Sequence, residues 1–386
     1  MTTTMPPTKN QRLPAIDVFR ALTILAMLIV NEMAAVKSIP AFFKHVAASQ
    51  DGMSFADLIF PAFLFITGMA IPASNKTPAA GLNLWGSAQR SLALITLGLF
   101  MVNAEYGYAL QLVSMPAALW ALLSLLACFL IWGNLPRLTL PQLRALRLIG
   151  IASLLILALL YRTAPDQLTA MRSHWWGILG LIGWAYLITV AILRFMPNSP
   201  YLLAWASLGL ILAYCLPATP ISHNPHLSHS AIMLFGVVCY QLLYPPQSAP
   251  VTLTAITCLK LLALTGLLLL AALLSHQFFA FSKIAASPPW VLASSAFCCL
   301  CYLLIALSLQ RWNWHLAFPK LMLASQNALL CYVLPYLIYP LMLLCAWHYP
   351  WLEQEAWAAS LMITLYALAL IYLAAILQKH KIRWQI

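Results

Sequence analysis

Long apolar stretches separated by short polar segments recur along the whole chain. Most approach the roughly 20 residues that cross a bilayer as a helix, although 145–161 and 229–244 fall short. Their apolar residues run continuously instead of alternating, which favours helices over a barrel. The pattern predicts twelve spans, at about 14–36, 55–74, 88–104, 109–132, 145–161, 175–195, 201–217, 229–244, 252–275, 290–310, 322–345 and 356–377.

Composition supports the same fold class. Hydrophobic residues make up 63% of the 386 residues and charged residues only 7%, whereas a soluble domain has about 25% charged residues. We therefore predict an all-α polytopic membrane protein with about 11–12 transmembrane helices. A single transmembrane domain at 14–377 would lie between cytoplasmic tails at 1–13 and 378–386.

Charge predicts the orientation. With the N-terminus in the cytoplasm, most lysines and arginines fall on the inner side, so we place both termini inside. The net charge of +12 then belongs to cytoplasmic loops and does not indicate nucleic acid. The polar N-terminus shows no cleavage signal, so we expect the first helix to stay as an anchor, in a bacterial inner membrane.

The acidic residues follow the opposite distribution, and only Asp17 falls inside. Acids have little influence on orientation, so the pattern needs another cause. Ordinary solvated loops explain it, and so does an outward-facing site for a polar or cationic substrate. The acids at or near the outer side are Glu32, Asp51, Asp57, Glu105, Asp166, Glu353 and Glu355.

Metal-ligating residue types give no clear metal site. The nine cysteines lie mostly inside apolar runs without metal or disulfide spacing, which is typical of small core residues. His223, His226 and His229 share one outer segment, so zinc is an alternative there. No cysteine or acid stands beside them, and Pro225 interrupts the segment, so we expect no metal. His229 would then face the same cavity as His45 or lie in a solvated loop.

The stretch from Asn31 to Ser74 carries the candidate chemistry. Asn31 ends the first helix, His45 lies in the following loop, and Asp57 begins the second helix. Each has an ordinary role alone, since an amide caps helix ends and an acid suits a first helical turn. Together they place an amide, an imidazole and a carboxylate at one membrane surface.

Basic residues near the inner surface have two interpretations. Asp17 and Arg20 are three residues apart and can neutralise each other on one helix face. Alternatively, Arg20, Arg90 or Lys76 meets the phosphates of a cytoplasmic cofactor.

Several separately spaced pieces of the sequence resemble one family. RLPAIDVFRALTILAMLIVN (12–31), FKH (43–45) and GMSFADLIFPAFLFITGMAIP (52–72) are similar to the heparan-alpha-glucosaminide N-acetyltransferase family. Shorter agreements are Lys283–Trp290 and Gln326–Tyr332, whereas about 105–220 agrees only in hydropathy. The sequence differs from the family pattern in two places: Ala21 replaces a glycine, and 46–48 replaces an Ala-x-Trp sequence. These differences bear on the identity of the acceptor sugar more than on the acetyl-transfer reaction.

The resemblance implies a transmembrane acyltransferase. Enzymes of this family move an acetyl group from cytoplasmic acetyl-CoA to the amine of a terminal glucosamine across the membrane. The family's essential histidine falls on His45, its first-helix asparagine on Asn31 and its acid on Asp57. We assign acetyl-CoA contacts to Arg20, Arg90, Lys283 and Asn327, and amino-sugar contacts to Glu32, Glu105 and His229. No metal or nucleic acid is expected, the bilayer is the surrounding partner, and a homodimer is left open.

Residue chemistry leaves the mechanism open. A free histidine titrates near ~6.5, which suits a general base that deprotonates an amine. His45 would act in that way or would itself carry the acetyl group. Asn31 would donate to the thioester oxygen, and Asp57 would orient His45 or bind the substrate ammonium.

Two other functions fit the outline. Twelve helices with both ends inside also suit an amino-sugar transporter, although we find no second copy of the Asn31–Ser74 pattern of the kind that repeat-built transporters show. A structural membrane subunit with a degenerate site is the other alternative.

Overall fold

The protein is described by a computed structural model of an all-helical membrane protein. The structure describes residues 14–74, 82–105, 115–136, 138–161, 170–217, 219, 223–244, 253–314 and 319–384. The expectations for the tail at 1–13, for Lys76 and for Asp166 lie outside these residues.

Thirteen α-helices and one two-residue strand pair make up the described chain. The helices are α1 (Pro14–Met33), α2 (Phe55–Ser74), α3 (Leu84–Glu105), α4 (Ala117–Trp132), α5 (Leu140–Leu160), α6 (Gly177–Phe195), α7 (Pro200–Cys215), α8 (Pro225–Leu243), α9 (Ala255–His276), α10 (Pro288–Trp312), α11 (Pro319–Gln326), α12 (Ala328–Leu344) and α13 (Ala356–Lys379). A 3₁₀ turn covers Ala41–Phe43, and β1 (Gly133–Asn134) pairs with β2 (Arg383–Trp384).

The predicted fold class is confirmed. Within the described residues, eight helices are long and apolar enough to cross a membrane, namely α1, α2, α5, α6, α8, α9, α10 and α13. The apolar helices α4, α7 and α12 are shorter, and the total of about 11–12 spans stays a prediction.

Hydropathy alone misplaced several boundaries. The predicted span 322–345 is wrong as one helix, because Asn327 leaves the helical conformation (φ −137°, ψ 44°) and separates α11 from α12. The spans 145–161 and 229–244 begin too late. Polar first turns extend both helices, since α5 starts at Leu140 next to Pro141, and α8 starts at Pro225 behind the capping side chain of Asn224.

Burial separates central helices from lipid-facing ones. In the apolar stretch of α8, 78% of the residues are buried inside the protein, and in those of α2 and α10 the buried share is 67% and 61%. In α5 and α9 the buried share is only 17% and 22%, although the mean hydropathy of these helices is at least as high. The apolar surface of α5 and α9 therefore faces lipid, while α2, α8 and α10 form the centre.

Glycine lets α2 and α8 approach at backbone distance. A Cβ atom added at Gly68 would clash with the carbonyl oxygen of Met233, and one at Gly236 would clash with that of Phe65. Small residues permit such close helix packing inside membranes. The pair α2–α8 is therefore a tightly packed unit, and it carries both Asp57 and His229.

Contacts also show which helix ends share a face. Nη1 of Arg20, near the start of α1, lies 3.4 Å from the carbonyl oxygen of Ser325 in α11. Gln326 in turn accepts a hydrogen bond from Gln378 near the end of α13. The start of α1 and the end of α13 therefore lie on one side, as the predicted topology requires, and the compartment that this side faces stays a prediction.

Candidate functional site

A cavity of about 1050 Å³ opens among α1, α2, α6, α8, α12 and the loop 277–287. Apolar and aromatic side chains form much of its wall. Several polar groups converge on it, which is typical of a small-molecule site. They include Asn31, Glu32, His45, His174, Asn224, His226, His229, Lys283, Tyr332, Tyr336 and Tyr339.

His45 lines this cavity, and Asp57 lies buried behind it. Nδ1 of His45 lies 2.8 Å from Oδ1 of Asp57. The imidazole follows the short 3₁₀ turn and is 40% exposed, whereas Asp57, in the first turn of α2, is only 1% exposed. A buried carboxylate thus holds a ring that remains accessible from the cavity.

The hydrogen-bond partners of Asp57 determine which member of the His45–Asp57 pair carries the proton between them. Its other oxygen, Oδ2, accepts hydrogen bonds from the amides of Val46 and Ser54 at 3.2 and 3.1 Å, and from Oγ of Ser54 at 3.0 Å. Three donors on one oxygen stabilise the ionised carboxylate. His45 therefore donates Nδ1–H to Asp57, which leaves the lone pair of Nε2 available.

Asn31 and Glu32 reach the cavity from the end of α1. Asn31 is exposed there, whereas Glu32 is 3% exposed. The hydroxyl of Tyr339 donates to Glu32 over a long distance of 3.4 Å. A buried carboxylate in a cavity wall with one weak neutral donor is suited to a cationic ligand.

His229 lies in the same cavity wall as His45, as one of the sequence alternatives had it. Its ring packs edge-on against Phe60 and Trp290, with centroids 5.0 and 6.2 Å away. The side chain is 2% exposed, and neither ring nitrogen has a hydrogen-bond partner among the described residues. Such an unsatisfied buried group is costly unless a ligand or water completes it.

Lys283 lies beside His45 and not with the other predicted acetyl-CoA contacts. Its Nζ is 3.2 Å from Nδ1 and 3.3 Å from Nε2 of the imidazole. Burial lowers the pKa of Lys283 to about 8, against the opposing effect of the negative charge on Asp57. A half-buried ammonium therefore stands next to the only ring nitrogen that Asp57 leaves available.

Arg20, Arg90 and Asn327 gather at the opposite end of α1, and none of them lines the cavity. Arg20 pairs with Asp17 at 3.3 Å, as their spacing predicts, and it lies within electrostatic range of the exposed Arg90. The side-chain nitrogen of Asn327, at the start of α12, is buried and has no partner among the described groups. These residues form a polar cluster at the end of the protein where α1 begins, separate from the cavity.

Glu105 lies outside the main cavity. It lines an adjacent space of about 340 Å³, which shares Tyr336 and Tyr339 with the larger one. Tyr336 hydrogen-bonds to Glu105, as Tyr339 does to Glu32. The two predicted acceptor-binding acids are thus both paired with tyrosines of α12.

Sequence reasoning missed much of the cavity wall. Tyr332, Tyr336 and Tyr339 recur at helical spacing on one face of α12, a signal that was readable in the sequence. Trp175 and Trp176 come from the segment before α6. Nothing in their local sequence indicates a cavity.

No group of three histidine, cysteine or acidic side chains in the described ranges is placed to hold a metal ion. In the histidine-rich segment, His223 packs against Tyr214, while His226 and His229 line the cavity. All nine cysteines are free, and most of them are buried or half-buried, but Cys301 and Cys345 are exposed.

Comparison with known proteins gives local similarity to one kind of enzyme. No protein-family model matches this sequence. Human heparan-alpha-glucosaminide N-acetyltransferase is 36% identical over 107 residues, which cover 26% of this chain and 15% of that protein. The mouse enzyme of the same name is 35% identical over 104 residues, or 25% of this chain and 14% of that protein. The matched segment is thus a small part of those relatives, and it supports a distant relationship to these N-acetyltransferases.

Proposed function

We propose that this protein is a membrane acetyltransferase that moves the acetyl group of acetyl-CoA to the amine of an amino sugar outside the cytoplasm. The observation that carries the proposal is the His45–Asp57 pair, which presents Nε2 to a cavity shared with Asn31 and Glu32. The distant relationship to N-acetyltransferases supports the reaction class. The acceptor and the donor are parts of the proposal.

The proposed step begins with an amine that is largely protonated at neutral pH. One proton of the ammonium leaves to solvent. The nitrogen of the neutral amine then attacks the thioester carbonyl carbon while His45 Nε2 takes a proton from it. The new C–N bond forms, the C–S bond breaks, and the thiolate of CoA takes the proton from the imidazolium, so that one proton is released overall. Asp57 stabilises that imidazolium through Nδ1–H, and Asn31 donates to the carbonyl oxygen as it becomes negative.

The same geometry also serves a covalent route. Nε2 would then attack the thioester itself, with CoA leaving as thiolate, and the amine would attack the acetyl-imidazole. The two routes differ in whether enzyme-bound acetyl forms without an acceptor.

The donor would enter from the side of Arg20. The cavity lining reaches Met27 on α1 and Tyr332 on α12. Met27 lies seven residues beyond Arg20, or about 10 Å along a helix. Arg20 and Arg90 would hold the phosphates of CoA through their guanidinium groups, and Asn327 would contact the pantetheine arm. The thioester would then advance between α1 and α12.

The acceptor would occupy the part of the cavity that Glu32, Trp175 and His229 line. Glu32 would hold its ammonium, and Trp175, which is 39% exposed, offers a flat apolar surface for the face of a sugar ring. His229 would accept or donate one hydrogen bond to a sugar hydroxyl, which completes an otherwise unpartnered ring.

The test is acetyl transfer by the purified protein in liposomes. Labelled acetyl-CoA is supplied on one side of the membrane and glucosamine on the other, and labelled N-acetylglucosamine is measured. We expect product with the wild type, none with His45→Ala, and wild-type rates with the control His348→Ala, which replaces an exposed histidine outside the cavity. Equal rates for His45→Ala and wild type would refute the assignment. Labelled protein before acceptor is added would select the covalent route.

A further inference from the structure

Lys283 lies against the reacting edge of His45 without a described role in the proposed proton transfer. Both Nζ–nitrogen distances are close to 3.3 Å, although the two residues are 238 positions apart in sequence. Since Nδ1–H is donated to Asp57, an ammonium cannot also donate to Nδ1. Its hydrogens are therefore directed to Nε2 or to whatever molecule reaches Nε2.

The charged and titratable neighbours of Lys283 come from three other elements. Asp57 lies on α2, His45 lies in the loop before α2, and His229 on α8 is within electrostatic range. Both oxygens of Asp57 already accept hydrogen bonds: one accepts from His45 and the other accepts three hydrogen bonds. Lys283 thus has no ion-pair partner with a free oxygen among these neighbours.

We propose that Lys283 is a catalytic residue that donates a hydrogen bond from its ammonium to the carbonyl oxygen of the acetyl thioester, an inference that rests on the proposed acetyl transfer. An amine bonded to Nε2 lies about 3 Å from that nitrogen. The carbonyl that it attacks therefore falls within reach of Nζ. A cation in a poorly solvated site stabilises a developing oxyanion strongly.

The electron and proton balance is complete without any further reactant. The neutral amine gives a proton to Nε2, its lone pair forms the C–N bond, and the carbonyl π pair moves to the oxygen. The oxyanion accepts hydrogen bonds from Lys283 and Asn31. Collapse of the tetrahedral intermediate restores the carbonyl and breaks the C–S bond. The thiolate then takes the proton from His45, and Lys283 remains an ammonium throughout.

The kinetic test compares Lys283→Met and Lys283→Arg with wild type over a range of pH. We expect Lys283→Met to lower kcat by ~10²–10³-fold, as loss of one oxyanion donor does elsewhere, with a small change in KM. The pKa of about 8 predicts that wild-type kcat falls above that pH, because the neutral amine lacks the charge. An arginine stays charged, so Lys283→Arg should move this fall to higher pH. Lys260→Met, on the exposed side of α9, is the control.

A binding measurement tests the contact independently of turnover. A ketone analogue of acetyl-CoA, which cannot transfer its acetyl group, should slow the modification of Lys283 by an amine-acylating reagent, as followed by mass spectrometry. Protection without any wild-type turnover would overturn the proposed function and keep the lysine contact. Turnover that is unchanged in Lys283→Met, or no protection by the analogue, would overturn the role of Lys283.

Discussion

Asp51 and His276 tie together the two loops that carry His45 and Lys283. Nε2 of His276 lies 2.8 Å from one carboxylate oxygen of Asp51, and the amide of Phe281 donates to the other oxygen at 2.7 Å. The amide of Gly52 returns a hydrogen bond to the carbonyl of Phe281 at 3.1 Å. This set of contacts, the Asp51–His276 tie, fixes the loop 277–287 against the segment that follows His45.

Acid should release the Asp51–His276 tie. Hydrogen bonds from His276 and from the amide of Phe281 hold the pKa of Asp51 below its usual range. A depressed folded-state pKa stabilises the tie above the unfolded value of about 3.9 and loses that stabilisation as pH falls through the folded value. We expect amide hydrogen exchange in 277–287 to rise at that low pH, and Asp51→Asn to show the faster exchange already at pH 7. Glu353→Gln, at another exposed acid, should show neither effect.

Asp57→Asn should lower kcat by ~10²–10⁴-fold, because it removes the carboxylate that orients the general base His45. An amide at this position can offer N–H to a ring nitrogen and so favours the wrong tautomer of His45. It also gives a poorer acceptor for Val46 and Ser54, which should cost about 1–3 kcal/mol of stability. Turnover and thermal unfolding in detergent measure the two effects. An unaltered kcat in correctly folded Asp57→Asn would contradict the orienting role.

Glu32→Gln should raise KM for an amine acceptor while leaving kcat nearly unchanged. A hydrogen bond to a charged group contributes about 1.5–3 kcal/mol, which corresponds to roughly 10–150-fold in affinity. Glu355→Gln is the matched control, because Glu355 is exposed and accepts from Trp357 away from the cavity. The subsite assignment fails if both variants have the wild-type KM for glucosamine.

Gly68→Ala should destabilise the protein by at least ~1–3 kcal/mol, the usual effect of overpacking. The added methyl would meet the backbone of Met233, which cannot rotate away as a side chain does. Gly209→Ala on α7 is the control, since nothing lies within 4 Å of the new atom, and alanine even favours a helix by up to ~1 kcal/mol. Thermal unfolding of both variants under one condition makes the comparison. Equal midpoints would show that α2 and α8 can separate without loss.

Local patterns predicted the helices and the acid–histidine pair, but not the surroundings of that pair. Hydropathy located most spans because each is a continuous apolar run. It missed the break at Asn327, where a single amide interrupts an otherwise apolar stretch. His45 and Asp57 are 12 residues apart, so one motif brought both into view. Lys283 comes from a loop 238 residues away, and only the packing of α10 against α2 reveals that it lies at His45.

The break at Asn327 has a mechanical consequence for the end of the protein where α1 begins. Arg20 and Gln378 anchor α11 to its neighbours, whereas α12 begins afresh beyond Asn327 and contains Pro335 and Pro340. Two helices joined by one non-helical residue can change the angle between them without breaking the backbone hydrogen bonds within either helix. A swing of α12 about Asn327 would move it away from α1, and under the proposed function this would widen the path by which acetyl-CoA reaches the cavity.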